Sequence, residues 1–169
     1  MQKTLYILRH AKAETASAGQ DDHERRLTQR GVEEACRMGE YLVSQGIAPD
    51  KILCSTSVRT QETLQYLFPS PLVGRGLIEY TDKLYLASAN EMIALLAAIP
   101  ESINSLMLIA HNPGLHQLCL RLAAAGEQAL LDRLAAKFST CALAAIAFDG
   151  VAWRNMSRAH GTLTMFIKA

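Results

Sequence analysis

The 169-residue chain has almost no net charge, 17 basic side chains standing against 16 acidic ones for a formal +1. Without a bulk field there is no electrostatic case for binding nucleic acid or an anionic membrane, so any anion site has to be a local arrangement. Long apolar stretches are missing too. No unbroken run exceeds eight residues, the length reached by Cys141 to Phe148, against the roughly 20 needed to span a bilayer. Near the N-terminus Leu5-Tyr6-Ile7-Leu8 is cut off by Arg9, too short for the apolar region of an export signal, and the expectation is a cytoplasmic protein. Cysteine is sparse: positions 36, 54, 119 and 141 contain no C-x-x-C, which removes the usual zinc and redox spacings. All four read as buried, reduced thiols, with Cys36 and Cys119 on apolar helix faces. Neither a G-x-x-x-x-G-K-[ST] loop nor a G-x-S-x-G elbow occurs, which argues against a nucleotide triphosphatase or a serine hydrolase. Repeats and Pro/Gly-rich linkers are also absent, so residues 1–169 read as one domain, long enough to bury a continuous core.

What is present is an alternation of short apolar runs and helix-period segments. Thr4 to Leu8 reads as a buried strand, followed by a long polar loop over 11–27 that ends in the charge run Asp21-Asp22-His23-Glu24-Arg25-Arg26. This run is either a solvated face or a functional loop, and the stretch Lys12 to Arg26 is a place for partner recognition. From Thr28 to about Gln45, apolar positions 32, 35, 36, 39, 42 and 43 form the stripe of an amphipathic helix. Lys51 to Cys54 is a second strand. A helix follows from about Ser57 to Phe68, stopped by Pro69 and Pro71, and Leu77-Ile78 is a candidate third strand. Ser88-Ala89-Asn90-Glu91 has capping-box spacing and opens a helix ending at Pro100. Leu106 to Ala110 is a strand covered on both faces, and Asn112-Pro113 supplies a cap and first-turn proline for a helix ending at Gly126. Strand-like runs close the chain at Cys141 to Phe148, Val151 to Asn155 and Leu163 to Ile167. Repeated strand–helix alternation predicts an α/β three-layer sandwich, its central sheet mainly parallel, with helices on both faces and antiparallel strands at an edge.

In such sheets ligands bind beyond the carboxyl ends of the strands. Arg9-His10 follows the first strand. Ser55-Thr56-Ser57 and Arg59 follow the second, Glu79 the third, and His111-Asn112-Pro113 the fourth. Four separate segments thus bring two arginines, two histidines, hydroxyls and a helix start to one edge, a constellation suited to phosphate. Arginine presents a planar fork that pairs with phosphate oxygens, and a helix start adds N–H donors. A neutral imidazole can attack phosphorus through one ring nitrogen, provided the other is held by a fixed partner, typically a backbone carbonyl.

These residues also carry a family likeness. Leu8-Arg9-His10-Ala11-Lys12-Ala13 resembles the Arg-His-Gly motif of the histidine phosphatase superfamily. The stretch from Asp22 to Gly31 is similar to the Arg-Pro-Leu-Thr-x-x-Gly segment that opens the family's first helix. Ser55 to Thr63 resembles its Ser-x-x-x-Arg-x-x-x-Thr block, and Ile109-Ala110-His111-Asn112-Pro113-Gly114 the second-histidine motif of short SixA-type phosphohistidine phosphatases. The resemblance implies a phosphoglycerate mutase-like fold, with His10 as the nucleophile and Arg9, Arg59 and His111 holding the phosphoryl oxygens. It implies no cofactor and no metal, the cationic side chains filling that role.

The departures bear on substrate. Ala11 replaces the glycine after the histidine, and Arg26 the proline of the helix-opening segment. The general acid of larger relatives has no clear counterpart; Glu79 is the candidate, with Asp82 second. A phosphohistidine substrate tolerates that loss, because its imidazole leaving group is protonated near neutral pH. Only 51 residues (60–110) lie between Arg59 and His111, which leaves little chain for a lid. The expected partner is therefore a phosphorylated protein such as a histidine phosphotransfer domain. The alternatives are a small phosphate ester as substrate, or a phosphoprotein-binding module without turnover. A metal site from His111, His116 and a carboxylate is disfavoured, because an i,i+5 pair does not share a helix face.

Overall fold

The structure, a computed structural model, describes residues 2–68 and 78–169. Pro69, Pro71 and Leu77 lie outside the described residues. The elements in chain order are β1 (Gln2–Arg9), α1 (Gln29–Ser44), β2 (Lys51–Ser55), α2 (Val58–Leu67), β3 (Ile78–Thr81), α3 (Ala89–Ala97), β4 (Ser105–Ala110), α4 (Gly114–Leu122), β5 (Ala123–Gly126), α5 (Gln128–Ala136), β6 (Ala142–Asp149) and β7 (Gly161–Lys168). The seven strands form one sheet in the order β3-β2-β4-β1-β6-β7-β5. Strands pack by alternation. In β1, Leu5 and Ile7 face a core built with α3, α4 and α5, while Leu8 faces a second core built with α1 and α2. The same switch recurs in β4, where Leu106 and Leu108 point one way and Met107 and Ile109 the other. That is the three-layer α/β sandwich. No helix among the described residues is long and apolar enough to cross a membrane.

Strands β3, β2, β4 and β1 run parallel, whereas β6 is antiparallel to both β1 and β7. The antiparallel strand therefore sits inside the sheet and not at its edge. Its eight-residue apolar run explains the position, since Ala142 to Ile146 are buried whichever way the side chains alternate.

Three other expectations are corrected. Val151 to Asn155 is no strand: Trp153–Arg158 is a 3-10 helix. The Trp153 indole is fully buried and donates to Ile103 O at 2.7 Å, and the backbone N–H groups of Trp153 and Arg154 are taken by the Glu101 carboxylate, while β7 takes the place beside β6. Helix α4 stops at Leu122, and Ala123–Gly126 becomes the edge strand β5, paired with β7. Cys36 is exposed, because the inward stripe of α1 runs through Ala35, Met38, Gly39 and Leu42 and leaves Cys36 and Val43 outside; the other three cysteines are buried, and all four are free thiols. Helix α5 escaped the sequence reading, although Leu130, Leu131 and Leu134 carry its apolar side.

One glycine shapes the region of the site. At Gly114, the first residue of α4, an added Cβ would come within 1.9 Å of Ala87 O. Gly114→Ala must separate α4 from the segment that precedes α3. We expect it to cost about 2–3 kcal/mol, read as a melting temperature lower by roughly 5–10 °C. An unshifted melting temperature would contradict this close approach.

Candidate active site

The register of the central strands creates the site. Arg9 of β1 is opposite Ala110 of β4, so the next residues, His10 and His111, emerge side by side at the carboxyl edge, and His10 N donates to Ala110 O at 3.2 Å. Their ring centroids are 5.3 Å apart. Strand β2 ends one place further along the same edge with Ser55, and α2 begins with Arg59 in its first turn. Of the predicted residues, Arg9, His10, Arg59 and His111 thus line one cavity of about 310 Å³.

His10 is held at both ends. Its Nδ1 lies 2.8 Å from Ala11 O, which selects the Nδ1–H tautomer and leaves the lone pair on Nε2. Its own carbonyl accepts from Cys141 N at 3.0 Å. Burial, with the nearby Arg59 and Arg9 charges adding to it, drives the His10 pKa down to about 3, so the ring is neutral at physiological pH. His111 is likewise lowered to about 3, chiefly by burial and then by His10 and Arg59. Its Nε2 is 2.9 Å from Ser55 Oγ, while its buried Nδ1 has no partner among the described residues. The Ser55 contact ties the His111 ring to the end of β2, and either atom of the pair can be the donor.

The Ser-x-x-x-Arg-x-x-x-Thr spacing now has a physical reading. Ser55 orients His111. Arg59 and Thr63 share one face of α2; Thr63 Oγ1 accepts from Ala11 N at 3.0 Å and donates to Arg59 O at 2.6 Å. The hydroxyl thus ties the carbonyl-bearing residue behind His10 to the turn that carries Arg59. On the other side Arg9 Nη1 and Asn112 Nδ2 both donate to Phe138 O, at 3.0 and 2.9 Å. Asn112 therefore does not cap α4, whose N-cap is Pro113.

The long loop after β1 turned out to be part of the site. An Ala13–Leu27 bridge and the Glu14 N to Arg26 O bond close its neck, and a 3-10 turn at Asp22–Glu24 lies over Arg59. Asp22 Oδ2 accepts from Arg59 Nη2 at 3.0 Å and from the Tyr85 hydroxyl at 2.6 Å, and Arg25 Nε lies 2.9 Å from Oδ1. The Tyr85 hydrogen bond, then the Arg59 charge, lowers the Asp22 pKa to about 2. Tyr85 also sets its ring edge-on to His111 with centroids 5.5 Å apart. The charge run Asp21–Arg26 was the available signal for Asp22; nothing in the sequence marked Tyr85.

Glu79 does not reach the cavity. It stands in mid-strand opposite Leu53, two residues short of the carboxyl end of β3, and its carboxylate pairs with Lys51 Nζ at 2.6 Å. Asp82 accepts from the Thr56 hydroxyl, outside the cavity lining. His116 turns away, its Nε2 2.6 Å from Leu134 O. Among the described residues no group of three His, Cys, Asp or Glu side chains is disposed to hold a metal ion.

A pocket lined by three arginines (Arg9, Arg25 and Arg59), Lys12 and two neutral histidines, at the carboxyl edge of a mainly parallel sheet, is an α/β cavity suited to a phosphoryl group. Residues 5–73 match the histidine phosphatase superfamily (branch 1). An uncharacterised protein of Mycobacterium leprae is 30% identical over 164 residues, covering 94% of this chain and 98% of that protein. The chain belongs to the histidine phosphatase superfamily, and its whole-length structural likeness is to SixA-type members. A candidate phosphohistidine phosphatase SixA from Nakamurella multipartitia superposes with a TM-score of 0.84 at 28% identity, over 99% of this chain and 96% of that one. Its counterpart from Agrobacterium tumefaciens gives 0.81 at 29% identity, over 99% of both chains.

Proposed function

We propose that the protein is a metal-independent phosphatase that works through a phosphohistidine intermediate on His10, with phosphohistidine on a phosphotransfer protein as its substrate. The observation that carries this reading is the His10 ring, neutral, with Nδ1–H fixed by Ala11 O and Nε2 free in a pocket with Arg9, Arg59 and His111. The Nε2 lone pair forms a bond to phosphorus as the bond from phosphorus to the leaving imidazole nitrogen breaks. Arg9, Arg59 and His111 meet the charge that spreads over the phosphoryl oxygens in line with the transfer. Water then attacks the phosphorylated His10, the N–P bond breaks, and inorganic phosphate leaves with His10 restored.

The substrate assignment follows from protons. Among the described residues the cavity holds one carboxylate, Asp22, and its pKa near 2 keeps it ionised and unable to protonate a leaving group. An alkoxide leaving group needs such an acid. The imidazole of phosphohistidine, with an ordinary pKa near 6.5, does not. The test is phosphate release from a histidine-phosphorylated phosphotransfer domain in EDTA. Multiple turnovers are expected. No release overturns the substrate assignment, and turnover of an aryl phosphate alone would replace it with small phosphomonoesters.

Arg59 is expected to matter by its shape as well as its charge. It is 2% exposed, and its two Nη groups engage Asp22 O and Oδ2 at 2.7 and 3.0 Å. Arg59→Ala should lower kcat/KM by about 100-fold, and Arg59→Lys should recover little of it, because a point charge cannot make the forked contact. Steady-state kinetics on the phosphoprotein check this; full rescue by lysine would contradict the role of the fork.

A further inference from the structure

Leu86 is unusual twice over. Its φ of 51° places a non-glycine residue in the left-handed region, without the polar side chain that lets Asn or Asp settle there. It is also a large apolar side chain 57% exposed to solvent, in the lining of a cavity whose other residues, Ala13 apart, are charged or polar. Its neighbours explain how the conformation is imposed. Leu84 and Ala87 are buried, Ala87 O closes against Gly114, and Tyr85 turns in to Asp22. With the flanking residues pinned inward, Leu86 is turned out. Glycine would follow the same backbone without strain and without an exposed apolar surface. A strained, exposed leucine at the mouth of a site is the kind of outlier from which function is inferred.

We infer that Leu86 is a docking residue for the phosphorylated protein: it packs on an apolar side chain that flanks the phosphohistidine, while the pocket takes the phosphoryl group. His10 and His111 are buried at the floor, and Leu86 stands at the opening. A group touching it therefore lies outward of the phosphoryl, on the surface of a macromolecule and not within a small ester. This inference rests on the proposed function. It selects for protein substrates by burying apolar surface that a free phosphoamino acid lacks.

The readout is the ratio of kcat/KM for a phosphohistidine phosphotransfer domain to that for free phosphohistidine. Leu86→Gly and Leu86→Asn both accept a positive φ but lose the apolar reach; each should lower the ratio about tenfold, chiefly through KM on the protein. Leu86→Met keeps the reach and should hold the ratio within about threefold of the parent. Leu86→Gly should also melt no lower than the parent, since strain is relieved. An unchanged ratio in the glycine and asparagine variants overturns the inference alone. A lower melting temperature for Leu86→Gly overturns it too, by making Leu86 a packing residue. If the parent releases phosphate from neither substrate, the proposed function falls and this inference with it.

Discussion

His10→Ala is expected to abolish turnover, lowering phosphate release from a phosphoprotein by at least about 10⁴-fold. The size follows from what the substitution removes. Arg9, Arg59 and His111 remain to bind a phosphoryl group, but no other nitrogen in the pocket has a free lone pair held in place. His111 is no substitute, because its Nε2 is engaged by Ser55 and its Nδ1 is buried away from solvent. Rapid quenching of the parent during turnover should trap phosphate on the chain in an acid-labile, alkali-stable linkage, and the variant should trap none. A variant retaining even a tenth of the parent rate would show that His10 is not the nucleophile. An active variant lacking the trapped species would point to direct attack by water.

The second large effect is on stability, and it runs with pH. His10 and His111 both have folded-state pKa values lowered to about 3, first of all by burial, whereas in the unfolded chain each titrates near 6.5. The unfolded state therefore binds more protons between these values, and stability must fall as pH falls through that window. The contribution is fully present above pH 6.5 and is lost progressively towards pH 3. Each ring accounts for about 1.4 kcal/mol per pH unit within the window, so denaturation at pH 5 against pH 7 should show a loss of roughly 4 kcal/mol for the pair. Asp22 does not confuse the measurement, since its lowered pKa acts only below the ordinary carboxylate range. A His10→Asn, His111→Asn double variant should flatten the slope. Equal parent stability at pH 5 and pH 7 would mean that the rings are not held neutral by burial.

The same cost has a use. A histidine left charged at neutral pH would bind phosphate but could not attack it, and the neighbouring guanidinium groups push His10 in the useful direction. Because the His10 ring stays unprotonated well below neutrality, the proposed mechanism puts no acid limb of kcat/KM near pH 6.5, where a free imidazole would place it.

Much of this was legible in the chain itself. Burial leaves local marks that survive in a one-dimensional sequence, short apolar runs for strands covered on both faces and a period of three to four along a helix; hence the strands at Thr4–Leu8 and Leu106–Ala110, the helix of Ala35, Met38 and Leu42, and the arrival of Arg9, His10, Arg59 and His111 at one edge. Tertiary structure alone decided which groups hold those four residues in place. Ser55 meets His111 across 56 positions, Arg59 meets Asp22 across 37, and Tyr85 meets Asp22 across 63. No local period encodes such pairs. They depend on strand order, on register and on where a 17-residue loop folds back, which are set by the packing of the whole sheet. The same reason displaced Glu79, whose place in the sequence allowed a catalytic role until β3 paired with β2 and brought Lys51 to its carboxylate.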